Sequence, residues 1–133
     1  MERGVERPGV ARLDVERPVV ERLRWQHRHE DDGVVLVLRG DLDLSTEPVL
    51  RSGLREADAA RRDGDALLVD LDEVAFCAAR GLSVLGEAAQ RSADGGVPFG
   101  LLRCPDHVLR LLDLLALRRV LDVRDAGPSS AAR

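Results

Sequence analysis

Apolar residues along the chain gather into short unbroken runs and longer periodic stretches, separated by charged and glycine-rich turns. Val34-Val35-Leu36-Val37-Leu38 and Ala66-Leu67-Leu68-Val69-Asp70-Leu71 are runs of the first kind. Short branched runs bounded by turn residues suit strands covered on both faces, or nearly so. Leu23–His29 alternates imperfectly, as an edge strand does. With the turn signal Glu30-Asp31-Asp32-Gly33 and the run after it, it predicts a hairpin whose second strand ends at Gly40. Val97–Leu102, with Pro98 near its start, predicts a further strand. Val120–Val123 predicts a short last one.

The periodic stretches lie between these runs. Val49, Leu50, Leu54 and Ala57 share one helical face, as do Leu82, Leu85 and Ala89, and as do Val108, Leu111, Leu112 and Leu115. Ser45 or Thr46 is placed to cap the first helix, and Pro48 suits its first turn, where a missing N–H costs little. Arg61–Asp65 ends it. The second helix is expected from about Arg80 to Ala93, stopped by Asp94-Gly95-Gly96, and Pro105 opens the third. The order is hairpin, helix, strand, helix, strand, helix, strand. Strands alternating with helices need crossover connections. The pattern therefore predicts an α/β fold, a small mixed sheet with helices packed largely on one face.

The length of 133 residues favours one domain, expected over residues 21–124. Residues 1–20 read as a tail: Val5-Glu6-Arg7-Pro8 returns as Val15-Glu16-Arg17-Pro18, and proline with mixed charge favours solvent over a packed core. Residues 125–133 read as a second tail. Aromatic residues are confined to Trp25, Phe76 and Phe99, so the core must be built from Leu, Val and Ala, and stacking platforms for nucleic-acid bases are missing. The net charge of −4, with arginines dispersed among acids, offers no basic stripe for nucleic acid. No apolar run approaches the length of a membrane span, and the first residues lack the apolar core of a secretory signal. A cytoplasmic protein without direct membrane insertion is expected.

The densest chemistry sits at Leu67–Leu85, where a strand delivers a compact turn to the start of a helix. Free N–H groups at a helix start attract anions and phosphorylated side chains. The turn here is Cys77-Ala78-Ala79-Arg80, with neither hydroxyl nor carboxylate. Upstream lies Gly40-Asp41-Leu42-Asp43-Leu44-Ser45-Thr46. These two segments, in this order, resemble the STAS family, named for sulfate transporters and anti-sigma factor antagonists. Its members carry Gly-Glu-Leu-Asp before the first helix and Asp-Ser-Ser-Gly-Leu opening the second. Gly81 and Leu82 match the latter, Ala78 stands where the family's Asp would be, Ala79 where its phosphorylated Ser would be, and Arg80 at the second Ser. The resemblance spans residues 22–123 and implies the STAS topology.

The resemblance further implies a non-catalytic regulator that binds an anti-sigma factor or serine-kinase-like regulator and so frees a sigma factor. The expected partner-binding residues are Asp43, Leu44, Ser45, Thr46, Cys77, Ala78, Ala79, Arg80, Gly81 and Ser83. Position 79 accepts no phosphoryl group, since a methyl group has no nucleophilic oxygen. Arg80 places a cation against the positive end of the helix dipole, or offers it to an acidic partner. Ser83 reads as a helix-surface serine, Ser45 and Thr46 as caps, and Asp43 either as the family's acidic site residue or as a solvated loop carboxylate. Cys77, Cys104 and His107 form the one metal-like set. No further Cys completes it, so no metal is assigned and the thiols read as small apolar groups. His27 and His29 share a face of the edge strand. No phosphate loop, nucleophile elbow or acid/base pair is visible, so neither an enzyme nor a cofactor is expected. Two other readings stand beside the favoured one: a STAS subunit of a membrane-transport assembly, and a nucleotide-sensing module.

Overall fold

A computed structural model describes residues 22–124; the two expected tails lie outside the described residues. Five strands form one sheet in sequential order: β1 (Leu23–Glu30), β2 (Gly33–Leu42), β3 (Ala66–Cys77), β4 (Phe99–Leu102) and β5 (Val123–Arg124). The β1–β2 pair is the antiparallel hairpin, and every later pairing is parallel. Three helices make the crossovers: α1 (Glu47–Ala59), α2 (Ala79–Asp94) and α3 (Asp106–Leu114). A short 3-10 turn, Leu44–Thr46, precedes α1.

All three helices feed one core. Leu50, Leu54 and Ala57 of α1, Leu82, Leu85 and Ala89 of α2, and Val108 and Leu112 of α3 pack with Leu36, Leu38, Val69 and Leu101 of the sheet. This is the expected layering, with helices on one face. The other face carries a second buried apolar group, Val35, Val37, Ala66, Leu68 and Leu102, to which none of the three helices contributes. The two groups together explain why β2 and β3 read as unbroken apolar runs. Asp70 lies on this second face and is 1% exposed. Its Oδ2 accepts from Arg103 Nη2 at 2.8 Å and Nε at 3.1 Å, and its Oδ1 accepts from the Asp72 N–H at 3.0 Å. A buried carboxylate is tolerated because its lone pairs are filled in this way.

Several boundaries differ from expectation. The second strand runs past Gly40 to Leu42, through two register shifts against β3. Gly40 has φ +119°, and a Cβ there would collide with the Arg22 carbonyl, which accepts from the Asp41 N–H at 2.7 Å. Only glycine allows both at once. The third strand does not stop at Leu71 but continues to Cys77, with Val74 and Cys77 buried and Phe76 exposed. β5 begins at Val123, not Val120, and Pro98 precedes β4. On α1, Val49 is 38% exposed and leaves the core face, while Gly53 joins it. A Cβ on Gly53 would lie 2.9 Å from the Trp25 ring, so glycine lets the indole seat against the helix. On α3, Leu115 turns outward and only Val108 and Leu112 are fully buried.

Candidate functional site

The first turn of α2 is held by the end of β2. The Ala78 N–H donates to the Leu42 carbonyl at 2.8 Å. A Cβ on Gly81 would lie 2.6 Å from Leu42 Cβ, so glycine is required for α2 to sit this close. Ala78 is the N-cap residue and supplies no side-chain bond, and the first turn contains no acid. The start of α2 thus keeps free N–H groups at the surface. Ala79, Arg80 and Ser83 are exposed there, while Ala78 is half-buried. Cys77 and Gly81 are buried and act as supports.

The neighbouring loop is fixed by a hydrogen-bonded knot. The Asp43 carboxylate accepts from the Thr46 N–H at 3.1 Å, and the Thr46 hydroxyl accepts from the Asp43 N–H at 3.0 Å, a reciprocal capping box around the 3-10 turn. Thr46 is buried, and its side chain makes no cap to α1 itself. Ser45 does not cap α1 either. It is exposed, donates to Asp43 at 2.8 Å and accepts from Arg22. Arg22 also pairs with Asp43 and, at 3.3 Å, with Asp41. The Ser45 bond and these neighbours hold the Asp43 carboxyl below its ordinary range. Asp43 is therefore a structural anchor and no solvated loop carboxylate.

Arg80 is not presented freely to a partner. Its Nε and Nη2 form a fork on the Glu47 carboxylate at 2.7 and 2.8 Å. Glu47 also accepts from Arg51 at 2.7 Å, and Arg51 reaches Glu87 at 3.0 Å. Four side chains thereby bridge α1 and α2. The hydrogen bond from Arg80, with that from Arg51, pulls the Glu47 carboxyl down to about 2. The cation expected to oppose the α2 dipole has its charge matched by a carboxylate from the neighbouring helix.

Two large apolar side chains stand in water at this end of the sheet, Leu44 at 70% and Phe76 at 52% exposure. Phe76 pairs with Asp41 in the β2–β3 register, and Leu44 follows directly from the end of β2. Exposed large apolar groups beside a polar rim mark interaction surfaces. Beyond Leu71 the strand buries Val74 and Cys77 and exposes the pairs between, a pattern with no period of two that could have singled out Phe76. Glu47 and Arg51 stand i, i+4 on the first helix, the spacing of a local ion pair, but their link to Arg80 and the place of Arg22 carried no signal.

The other candidates fall elsewhere. Burial pushes the thiols of Cys77 and Cys104 up to about 12 and about 11, which keeps them protonated and unreactive. His107 is half-buried, its Nε2 without a hydrogen-bond partner among the described residues. His27 and His29 are exposed on β1, where His27 stacks on Trp25 with ring centroids 6.1 Å apart. Among the described residues no group of three His, Cys, Asp or Glu side chains is placed to hold a metal, and no helix is long and apolar enough to cross a membrane.

A family model described as "Mlab, STAS domain" matches residues 25–122, from within β1 to the residue before β5. This chain belongs to the STAS domain family. This STAS domain is 26% identical, over 85% of its own length and 88% of the relative's, to the anti-sigma-F factor antagonist RsfA of Mycobacterium tuberculosis. Its fold matches that of an anti-sigma factor antagonist from Mycobacterium paratuberculosis with a TM-score of 0.68, at 19% identity, covering 83% of this chain and 92% of the other. It matches the anti-sigma factor antagonist SpoIIAA in its unphosphorylated form with a TM-score of 0.63, at 16% identity, covering 82% and 93%. The STAS fold expected from the two motif segments is thus the fold observed.

Proposed function

We propose that this STAS domain is an anti-sigma factor antagonist: it binds an anti-sigma factor at the mouth of α2 and thereby frees a sigma factor. The observation that carries the reading is the exposure of Leu44, Phe76 and Ala79 where β2 and β3 end and α2 begins, beside the Glu47–Arg80 fork. The similarity to an antagonist over most of both chains supports it over the transport-assembly and nucleotide-sensing readings. Competition is the mechanism. The anti-sigma factor holds either its sigma factor or this domain, and relative affinity and abundance set the outcome.

Control by phosphorylation at position 79 is absent on this reading. A phosphoryl group would add about −1.5 to −2 charges to the docking surface, and Ala79 has no oxygen to receive it. The partner is an anti-sigma factor, of the serine-kinase-like kind or otherwise, and the domain itself catalyses nothing. Substitution tests the contact directly. With the partner anti-sigma factor in a calorimeter, Ala79→Ser should bind within about threefold of the parent, while Ala79→Asp should lose about tenfold or more, as a charge buried without a partner costs. Equal affinities for the two variants would remove this turn from the interface.

A further inference from the structure

The valley between α1 and α2 continues below the Glu47–Arg80 bridge as an open groove of about 300 Å³. Leu54, Ala88 and Val97 line its apolar side; Arg55, Arg61 and Arg91 stand around it with a single acid, Asp58. Arg61 is committed, to Asp58 at 2.9 Å and to the Asp65 carbonyl at 3.2 Å. Arg55 and Arg91 are exposed and make no ion pair among the described residues. A second hollow, lined by Leu44, Glu47, Pro48, Arg51 and Arg55, lies on the same stripe of α1 nearer the mouth of α2; its one acid, Glu47, is already held by Arg51 and Arg80. Arg55 borders both, so the two hollows adjoin along α1. The valley is locally cationic on a chain whose net charge is −4.

We infer that this valley is the second half of the partner interface and takes an acidic amphipathic helix of the anti-sigma factor. The inference rests on the antagonist reading. A trough between two packed helices is shaped to receive the ridge of a third, and helix-in-groove docking uses an apolar stripe as anchor. The two hollows together follow α1, whose 13 residues span about 20 Å, the length of roughly three to four turns of an incoming helix. Leu44 and the half-buried Val97 meet its apolar stripe, and Arg55 and Arg91 meet carboxylates on its flanks. The cationic rim speeds encounter and sets the orientation of docking.

The test compares the full chain with Arg55→Glu/Arg91→Glu, Arg55→Gln/Arg91→Gln and Phe76→Asp. Each is titrated against the purified anti-sigma factors encoded in the same genome, at low and at moderate salt. The expected result is one anti-sigma factor bound by the parent, with affinity falling as salt rises. The Gln pair should bind less tightly, and the Glu pair at least tenfold less tightly at low salt with a flattened salt dependence. Both arginines are exposed, so thermal midpoints should stay with the parent. A Glu pair that keeps the parent's affinity and salt dependence, while Phe76→Asp fails to bind, overturns the valley and leaves the antagonist reading standing. A parent that binds no anti-sigma factor overturns both. Dimerisation of the free chain that the Glu pair abolishes also overturns the inference, since the groove would then hold a second copy.

Discussion

Glu47 holds two arginines at once, and that makes it the residue through which pH reaches the site. Its folded-state value of about 2 lies below the ordinary 4.5, so the unfolded chain takes up the proton more readily. The stabilisation from this carboxylate is complete above about pH 4.5 and drains away as the pH falls toward about 2. Glu47→Gln should therefore lower the thermal midpoint at neutral pH, and the two proteins should converge near the acid end of that window. A midpoint gap that persists unchanged in acid would show that Glu47 acts through packing alone. Arg80 has the opposite lesson. Read along the chain, it is a cation at the wrong end of a helix. In the fold its charge is met by a residue 33 positions away, a distance no local rule spans.

The strand–helix junction shows how an element's position is set by one missing side chain. α2 begins where it does because Gly81 lets its first turn lie against Leu42, and because the Leu42 carbonyl takes the Ala78 N–H. Gly81→Ala must push the two apart or distort one of them. It should destabilise the domain by about 1–3 kcal/mol, as overpacking does, measurable by denaturant unfolding. Because the displaced turn carries Ala79 and Arg80, the same substitution should also weaken partner binding beyond what the stability loss explains. An unchanged unfolding midpoint would mean that the turn has room the present packing does not display. The helix stripes were legible in the sequence because a period of 3.6 is a property of neighbours. The strand ends were not. Arg39-Gly40-Asp41 is polar, yet it stays in the sheet because its backbone pairs with β3 across two register shifts. Asp72-Glu73 is likewise polar and lies within β3.

At the scale of the molecule, the hairpin and the helix-bearing face follow from the sequence of apolar runs, while the topology came with the resemblance carried by the two segments Gly40–Thr46 and Ala78–Leu82. The Asp43–Arg22–Ser45 knot and the four-residue ion-pair bridge did not follow, since each depends on elements that meet only after folding. The fold also predicts an uneven stability. β2 and β3 are paired on both sides over Val34–Val37 and Leu67–Asp70, but β4 gives β3 no partner beyond Asp70. Amide exchange should be slowest at Leu36, Val69 and their neighbours, and faster at Glu73–Cys77, in proportion to the lost pairing. Uniform protection along β3 would contradict this.

That overhang has an evolutionary reading. From Leu71 to Cys77 the third strand projects like a jetty, tied to land along one rail by β2 and bearing Ala78–Arg80 at its tip. Cargo-handling can be refitted at the end of a jetty without rebuilding the shore. The exposed side chains at Ala79 and Arg80, and the Glu47 carboxylate that answers Arg80, can change there while the interior that makes the protein fold is left untouched.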